Sequence, residues 1–188
     1  GLRDALKNTG VALDIEFMDT KRVFDENSIR QFRERLAYKI QKLGQYDIVF
    51  SADDNALGFL KSNHEDLFSN IPIVFFAVNN LGNATANNED PLVTGVVEAL
   101  SIKETVDVGL KMFPSTKRVI SITDNSTSGV AQLKSFQEAV KGMSSGEFKE
   151  LSLKDYSFQE FYEQLKSLSS DDLILMQIAY RDKENTFL

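Results

Sequence analysis

Tyr46-Asp-Ile-Val-Phe-Ser-Ala-Asp-Asp-Asn-Ala56 decides how this chain is read. A continuous apolar run, Ile48 to Phe50, suits a strand covered on both faces. It passes without a spacer into an acidic turn and then into a helix expected from Ala56 to Lys61. Ile71-Pro-Ile-Val-Phe-Phe-Ala-Val78 repeats the continuous pattern. Two such runs belong in the middle of a parallel sheet, and the crevice beyond the carboxyl ends of those strands is where small molecules bind.

Alternation then extends in both directions. Val11, Leu13, Ile15 and Phe17 alternate with Ala12, Asp14, Glu16 and Met18, which predicts an edge strand with one face in water. Ile29, Phe32, Leu36, Ile40 and Leu43 give an amphipathic helix from Ser28 to Leu43, stopped by Gly44. Leu81 to Leu92, rich in Asn and Gly, reads as a loop. After it come a strand over Val93–Val97, a helix over Ser101–Met112, a strand over Arg118–Thr123, a helix over Thr127–Lys141 and a strand over Phe148–Leu153. A helix striped by Phe158, Phe161, Tyr162, Leu165 and Leu168 leads to a last strand over Leu173–Ala179. This order predicts an α/β protein of two Rossmann-like lobes with parallel sheets, residues 1–95 and 96–188. The chain opens on a helix and closes on a core-type strand, so both ends read as truncated.

Composition narrows the function classes. The chain has 188 residues, 42% of them hydrophobic, a formal net charge of −7 and no cysteine. That charge disfavours sequence-independent nucleic-acid binding, which needs a basic face. Eight apolar residues, the length of the run over 71–78, fall far short of the roughly 20 that span a bilayer. Gly1-Leu-Arg-Asp-Ala-Leu-Lys7 has none of the marks of a signal peptide. Disulfides, thiol catalysis and cysteine-based zinc sites are excluded, while a cysteine-free chain suits the cytosol and the periplasm equally.

The candidate site gathers at strand ends. Asp53, Asp54 and Asn55 follow the first buried run. One carboxylate is explained by capping the helix, and the second, next to it, needs a cation or a donor to face. Asp124, Asn125, Ser126 and Thr127 form the matching turn in the second half, where hydroxyls and free backbone N–H groups suit an anionic group, or simply cap a helix. Asn79 and Tyr180 also follow strand ends and are candidate ligand contacts, Asn79 reading alternatively as a turn residue and Tyr180 as a packed aromatic. No G-x-G-x-x-G, Walker loop, G-x-S-x-G or H-E-x-x-H is present. The only histidine, His64, sits in a polar stretch and reads as a solvated helix end. No catalytic residue, metal site or cofactor is expected, with one reservation: Asp53 and Asp54 on Mg²⁺ would make a metal-dependent α/β enzyme.

The three stretches Tyr46 to Ala56, Ile71 to Asn79 and Thr94-Gly-Val-Val-Glu98 resemble the type I periplasmic-binding-protein family. The likeness is to its ABC-transporter substrate-binding-like members, the extracytoplasmic sensor domains of bacterial histidine kinases and GGDEF-type diguanylate cyclases. It runs through nearly the whole chain. The resemblance implies a two-lobed clamp closing on a small polar ligand, amino-acid-like in the simplest case, with its ammonium at Asp53 or Asp54 and its carboxylate at Ser126 to Ser128. The implied contacts are Asp53, Asp54, Asn55, Asn79, Asp124, Asn125, Ser126, Thr127 and Tyr180. It further implies a periplasmic, membrane-anchored setting, covalently linked transmembrane and output domains, a homodimer as one arrangement, and no enzymatic activity. A solute-binding component of an ABC transporter is the alternative with the same cleft. Family members begin with a strand ahead of the first helix and continue past the last strand found here.

Overall fold

The computed structural model describes residues 1–86, 90–143 and 146–188. The chain is α/β, with two parallel three-stranded sheets. In the first half, α1 (Leu2–Leu6) and α2 (Glu26–Leu43) precede β1 (Val49–Ala52), α3 (Asp54–Ser62), α4 (His64–Leu67), β2 (Ile73–Val78), α5 (Leu81–Thr85) and β3 (Val93–Val97). The strand order is β1-β2-β3. The second half has α6 (Ile102–Met112), β4 (Arg118–Thr123), α7 (Thr127–Ala139), β5 (Glu147–Ser152), α8 (Phe158–Lys166) and β6 (Asp172–Met176), ordered β5-β4-β6. β3 carries the first sheet as far as Val97.

The second sheet is covered on both faces, as continuous apolar strands require. β4 lies in its middle. Ile120 and Ile122 pack with Leu151, Leu153 and Phe161 of α8, while Val119 packs with Ile102 and Val106 of α6 and Phe136 of α7. The first sheet differs from expectation. Ile73 packs with Leu36 of α2, Phe59 and Leu60 of α3 and Leu67 of α4, and Phe75 and Val78 lie with Leu57 of α3. These helices share one face. On the other, Phe50, Phe76 and Val96 are exposed.

The stretch Val11–Met18 is not a strand. Its orientation is also the reverse of the expected one, with Val11, Leu13, Ile15 and Phe17 exposed. The acidic side decides this. Lys39 of α2 holds Asp14 at 2.5 Å and Glu16 at 2.6 Å, Arg35 holds Glu16 at 2.9 Å, and the Tyr46 hydroxyl donates to Asp14 at 2.7 Å. The Lys39 and Tyr46 hydrogen bonds lower the Asp14 pKa, and the same two carboxylates raise that of Lys39. Burial, then the bond to Asp14, pushes the Tyr46 phenol up to about 12. Four polar contacts, from Lys39, Arg35 and Tyr46, outweigh four apolar side chains that have no covering layer to enter.

The remaining differences are local. Leu81–Thr85 is a short helix inside the stretch read as a loop, of which residues 87–89 lie outside the described residues. β6 stops at Met176, three residues short of the expected end at Ala179. His64 opens α4, and its Nε2 is buried without a partner rather than solvated.

At the base of the second sheet, Arg118 of β4 holds Asp172 of β6 through Nε and Nη2, both at 2.5 Å, and the Ser169 N–H donates to the same carboxylate at 2.7 Å. The Asp172 side chain is 1% exposed. The Arg118 bonds, followed by that N–H, hold its carboxyl far below the usual range. A lowered folded-state pKa contributes stability that is present above the unfolded value of about 3.9 and is lost as pH falls below it. Urea unfolding at pH 7 and pH 3 should show Asp172→Asn less stable at pH 7, with a shallower loss toward pH 3. An unchanged acid limb would count against the pair.

Candidate functional site: a cleft between the two sheets

The carboxyl ends of β1 and β2 in one half and of β4 and β6 in the other lie toward a common cleft. Two buried carboxylates build its walls in the same way. Asp54, 2% exposed, opens α3 after β1 and accepts the backbone N–H groups of Asn79 (Oδ2, 3.1 Å) and Asn80 (Oδ1, 3.1 Å) beyond β2. A bulge between Phe75 and Val78, with Ala77 at φ 54°, turns those N–H groups onto it. Asp124, also 2% exposed, follows β4 and accepts the N–H of Tyr180 at 2.7 Å and of Arg181 at 3.4 Å, beyond β6. Its other oxygen takes the Ser126 N–H at 2.9 Å and the Ser126 hydroxyl at 2.5 Å. Each carboxylate ties the end of its own strand to the loop after a neighbouring one.

Asp124 can sit there only because residue 129 is glycine. A Cβ on Gly129 would overlap both the Asp124 carboxylate and its carbonyl. Ser126 completes the turn by accepting the Gly129 N–H at 3.1 Å, which caps α7.

Asp53 is different. Its carboxylate accepts the Asn55 N–H at 3.2 Å and pairs with Lys21 at 2.9 Å. Its backbone, at φ 83° and ψ 155°, lies in a region that only glycine enters freely, at a cost of about 1–3 kcal/mol for other residues. A comparison of two variants separates these roles. Asp53→Ala should lower stability by ~1–2 kcal/mol through the lost cap, because alanine keeps the strain. Asp53→Gly should be more stable than Asp53→Ala by ~1–3 kcal/mol, since glycine relieves the strain and is itself a tolerable cap. Equal urea midpoints for the two would show the backbone to be unstrained.

Between the halves lies a cavity of about 120 Å³. Thr20, Lys21, Phe24 and Asn55 line it from one side, and Asn125, Ser126, Thr127, Arg181 and Asn185 from the other. Four of the expected site residues therefore meet there: Asn55, Asn125, Ser126 and Thr127. Asp53 and Tyr180 reach its border through Lys21, whose ammonium lies 5.5 Å from the Tyr180 ring centroid. Asp54, Asp124 and Asn79 do not line it. The adjacent carboxylates of Asp53 and Asp54, either of which was expected to face a ligand cation, serve different partners: Asp53 caps α3 and pairs with Lys21, and each oxygen of Asp54 accepts a backbone N–H group. Among the described residues, no three His, Cys, Asp or Glu side chains come together as a metal site.

Sequence reading missed Thr20, Lys21, Phe24 and Asn185. Thr20 Oγ1 accepts from Asn55 Nδ2 at 3.0 Å, and Arg181 Nη2 donates to the carbonyls of Thr20 (3.2 Å) and Lys21 (2.6 Å). The one available signal was a lysine just past the alternating stretch. If that stretch runs alongside β1, its lysine arrives opposite Asp53.

A scan of protein-family models finds none that matches the chain, and a search of curated proteins likewise finds no match. Among the described residues no helix is long and apolar enough to cross a membrane.

Proposed function

We propose that the chain is a ligand-binding module that holds a small polar molecule between its two α/β halves, and that it works as the extracytoplasmic sensor domain of a bacterial signal-transduction protein. The observation that carries the binding reading is the cavity itself. Thr20, Asn55, Asn125, Ser126, Thr127 and Asn185 line it from both sides of the chain, together with the cationic Lys21 and Arg181. Such a lining offers donors and acceptors suited to a small polar molecule.

Its size is informative. Cavities for drug-sized ligands run to about 300–1,000 Å³, so about 120 Å³ admits only a few non-hydrogen atoms unless the halves part. Ligand would then stabilise the closed form by its differential affinity for it, and closure is the signal passed on. The resemblance to sensor domains of the periplasmic-binding-protein type supports this role.

Calorimetry and thermal shift with a panel of amino acids and other small polar molecules test it. At least one should bind and raise the melting temperature, and Asn55→Ala together with Thr127→Ala should weaken that binding at least tenfold, a loss of about 1.4 kcal/mol. A panel without a binder, or a binder indifferent to both substitutions, would remove the reading.

A further inference from the structure

Lys21 enters the cleft on the turn that follows Val11–Met18, and groups from both halves satisfy its ammonium. Nζ lies 2.9 Å from Asp53 Oδ2 in the first half, and it donates to Ser128 Oγ of α7 in the second at 2.8 Å. The Tyr180 ring stands 5.5 Å away. An ammonium has three donors and no acceptor, and a carboxylate, a hydroxyl oxygen and an aromatic face together form a receptacle for it. Ser128 is 3% exposed, so its hydroxyl has little access to water as a substitute partner. The lysine backbone is gripped as well, through the Arg181 bonds to the carbonyls of Thr20 and Lys21.

We infer that Lys21 is an internal plug: the chain's own ammonium fills a primary-ammonium receptacle formed by Asp53, Ser128 and Tyr180, bridges the two halves, and is displaced when a ligand bearing a primary ammonium enters. The receptacle and the bridge stand on the Lys21 contacts alone, whereas displacement by ligand rests on the function proposed above. Exchange is sterically open, since the Lys21 and Asp53 side chains are 26% and 35% exposed. A competing amine also meets a site whose geometry a lysine ammonium already satisfies. Lys21 itself holds its place only by ordering a long, rotamer-rich stem.

The test removes the plug and returns its missing atoms. Lys21→Ala lacks three carbons and the ammonium, which n-propylammonium supplies. Its melting temperature should rise with n-propylammonium, following the logarithm of concentration once the site begins to fill. Tetramethylammonium, which has no N–H donor, should give no such rise, and Lys21→Ala/Asp53→Asn should not respond to n-propylammonium. An equal response to both cations, or none to either, would overturn the receptacle. Lys21→Met keeps the stem and loses the charge, so it reads the bridge without opening a cavity, and it serves if Lys21→Ala does not fold. The chain lacks cysteine, so a dye pair at Leu43→Cys and Met112→Cys, both exposed, reports the distance between halves without background labelling. That distance should lengthen or broaden in Lys21→Met. An unchanged distribution would overturn the bridge.

The two readings fail separately. If panel ligands bind wild type and Lys21→Met with equal affinity, the plug falls and the ligand cleft stands. If neither protein binds any of them while n-propylammonium still stabilises Lys21→Ala, the sensor reading falls and the receptacle stands.

Discussion

Asp124→Ala is expected to destabilise the chain by ~3–5 kcal/mol, the largest effect of any single change at the cleft. The carboxylate is buried, and three backbone N–H groups and one hydroxyl converge on it. Truncation leaves those donors facing a void. Each buried donor without a partner costs about 1–3 kcal/mol, and bonds to a charged acceptor sit at the upper end of the scale. Not all four losses add, because Ser126 can turn its hydroxyl elsewhere and the Arg181 bond is long. Asp124→Asn keeps the shape and one acceptor oxygen but presents an NH₂ group to N–H donors on its other side. It should recover no more than about half the loss. Urea unfolding of the three proteins gives the comparison. An Asn variant as stable as wild type would show that only one of the two oxygens carries the clamp.

That clamp also explains why part of the site was legible in the sequence and part was not. The β/α order and its parallel sheets follow from runs such as Ile71–Val78, whose apolar continuity has few other uses. The strand-end turns follow too, since Asp53 and Ser126 cap α3 and α7 as their positions suggest. What sequence cannot supply is the direction of a carboxylate after a strand. Asp54 and Asp124 look like ligand contacts because strand-end acids commonly are, yet both turn inward to hold neighbouring loops. Val11–Met18 shows the same limit. A period of two marks extended backbone and leaves open which face is buried. Here Lys39 and Arg35, on two turns of α2 that no local pattern links to this stretch, pull the acidic face inward. Lys21 then reaches the cleft through this tertiary placement, and no local pattern around it announces the contact with Asp53.

Asp54→Ala should cost ~2–4 kcal/mol, less than the change at Asp124, because its carboxylate holds two backbone N–H groups rather than three together with a hydroxyl. Its consequence for the cleft should be wider than that figure suggests. Asp54 joins the start of α3 to the loop after β2, and Ala77 stands in the left-handed region at φ 54° to aim that loop. With the carboxylate gone, nothing offsets the unfavourable backbone there, and the end of β2 is free to relax toward regular strand geometry. Hydrogen exchange should therefore show the amides of Asn79 and Asn80 losing protection well beyond the global change in stability, while the second sheet around β4 changes only by the global amount. Asp124→Ala should give the mirror pattern, with the amides of Tyr180 and Ser126 losing protection and the first sheet changing only by the global amount. If either substitution loosens both halves equally, the two clamps are not independent and the cleft behaves as one cooperative unit. Separate responses would mean that each wall is rigid by itself, so that motion on ligand entry is confined to the contacts of Thr20, Lys21 and Arg181 between them.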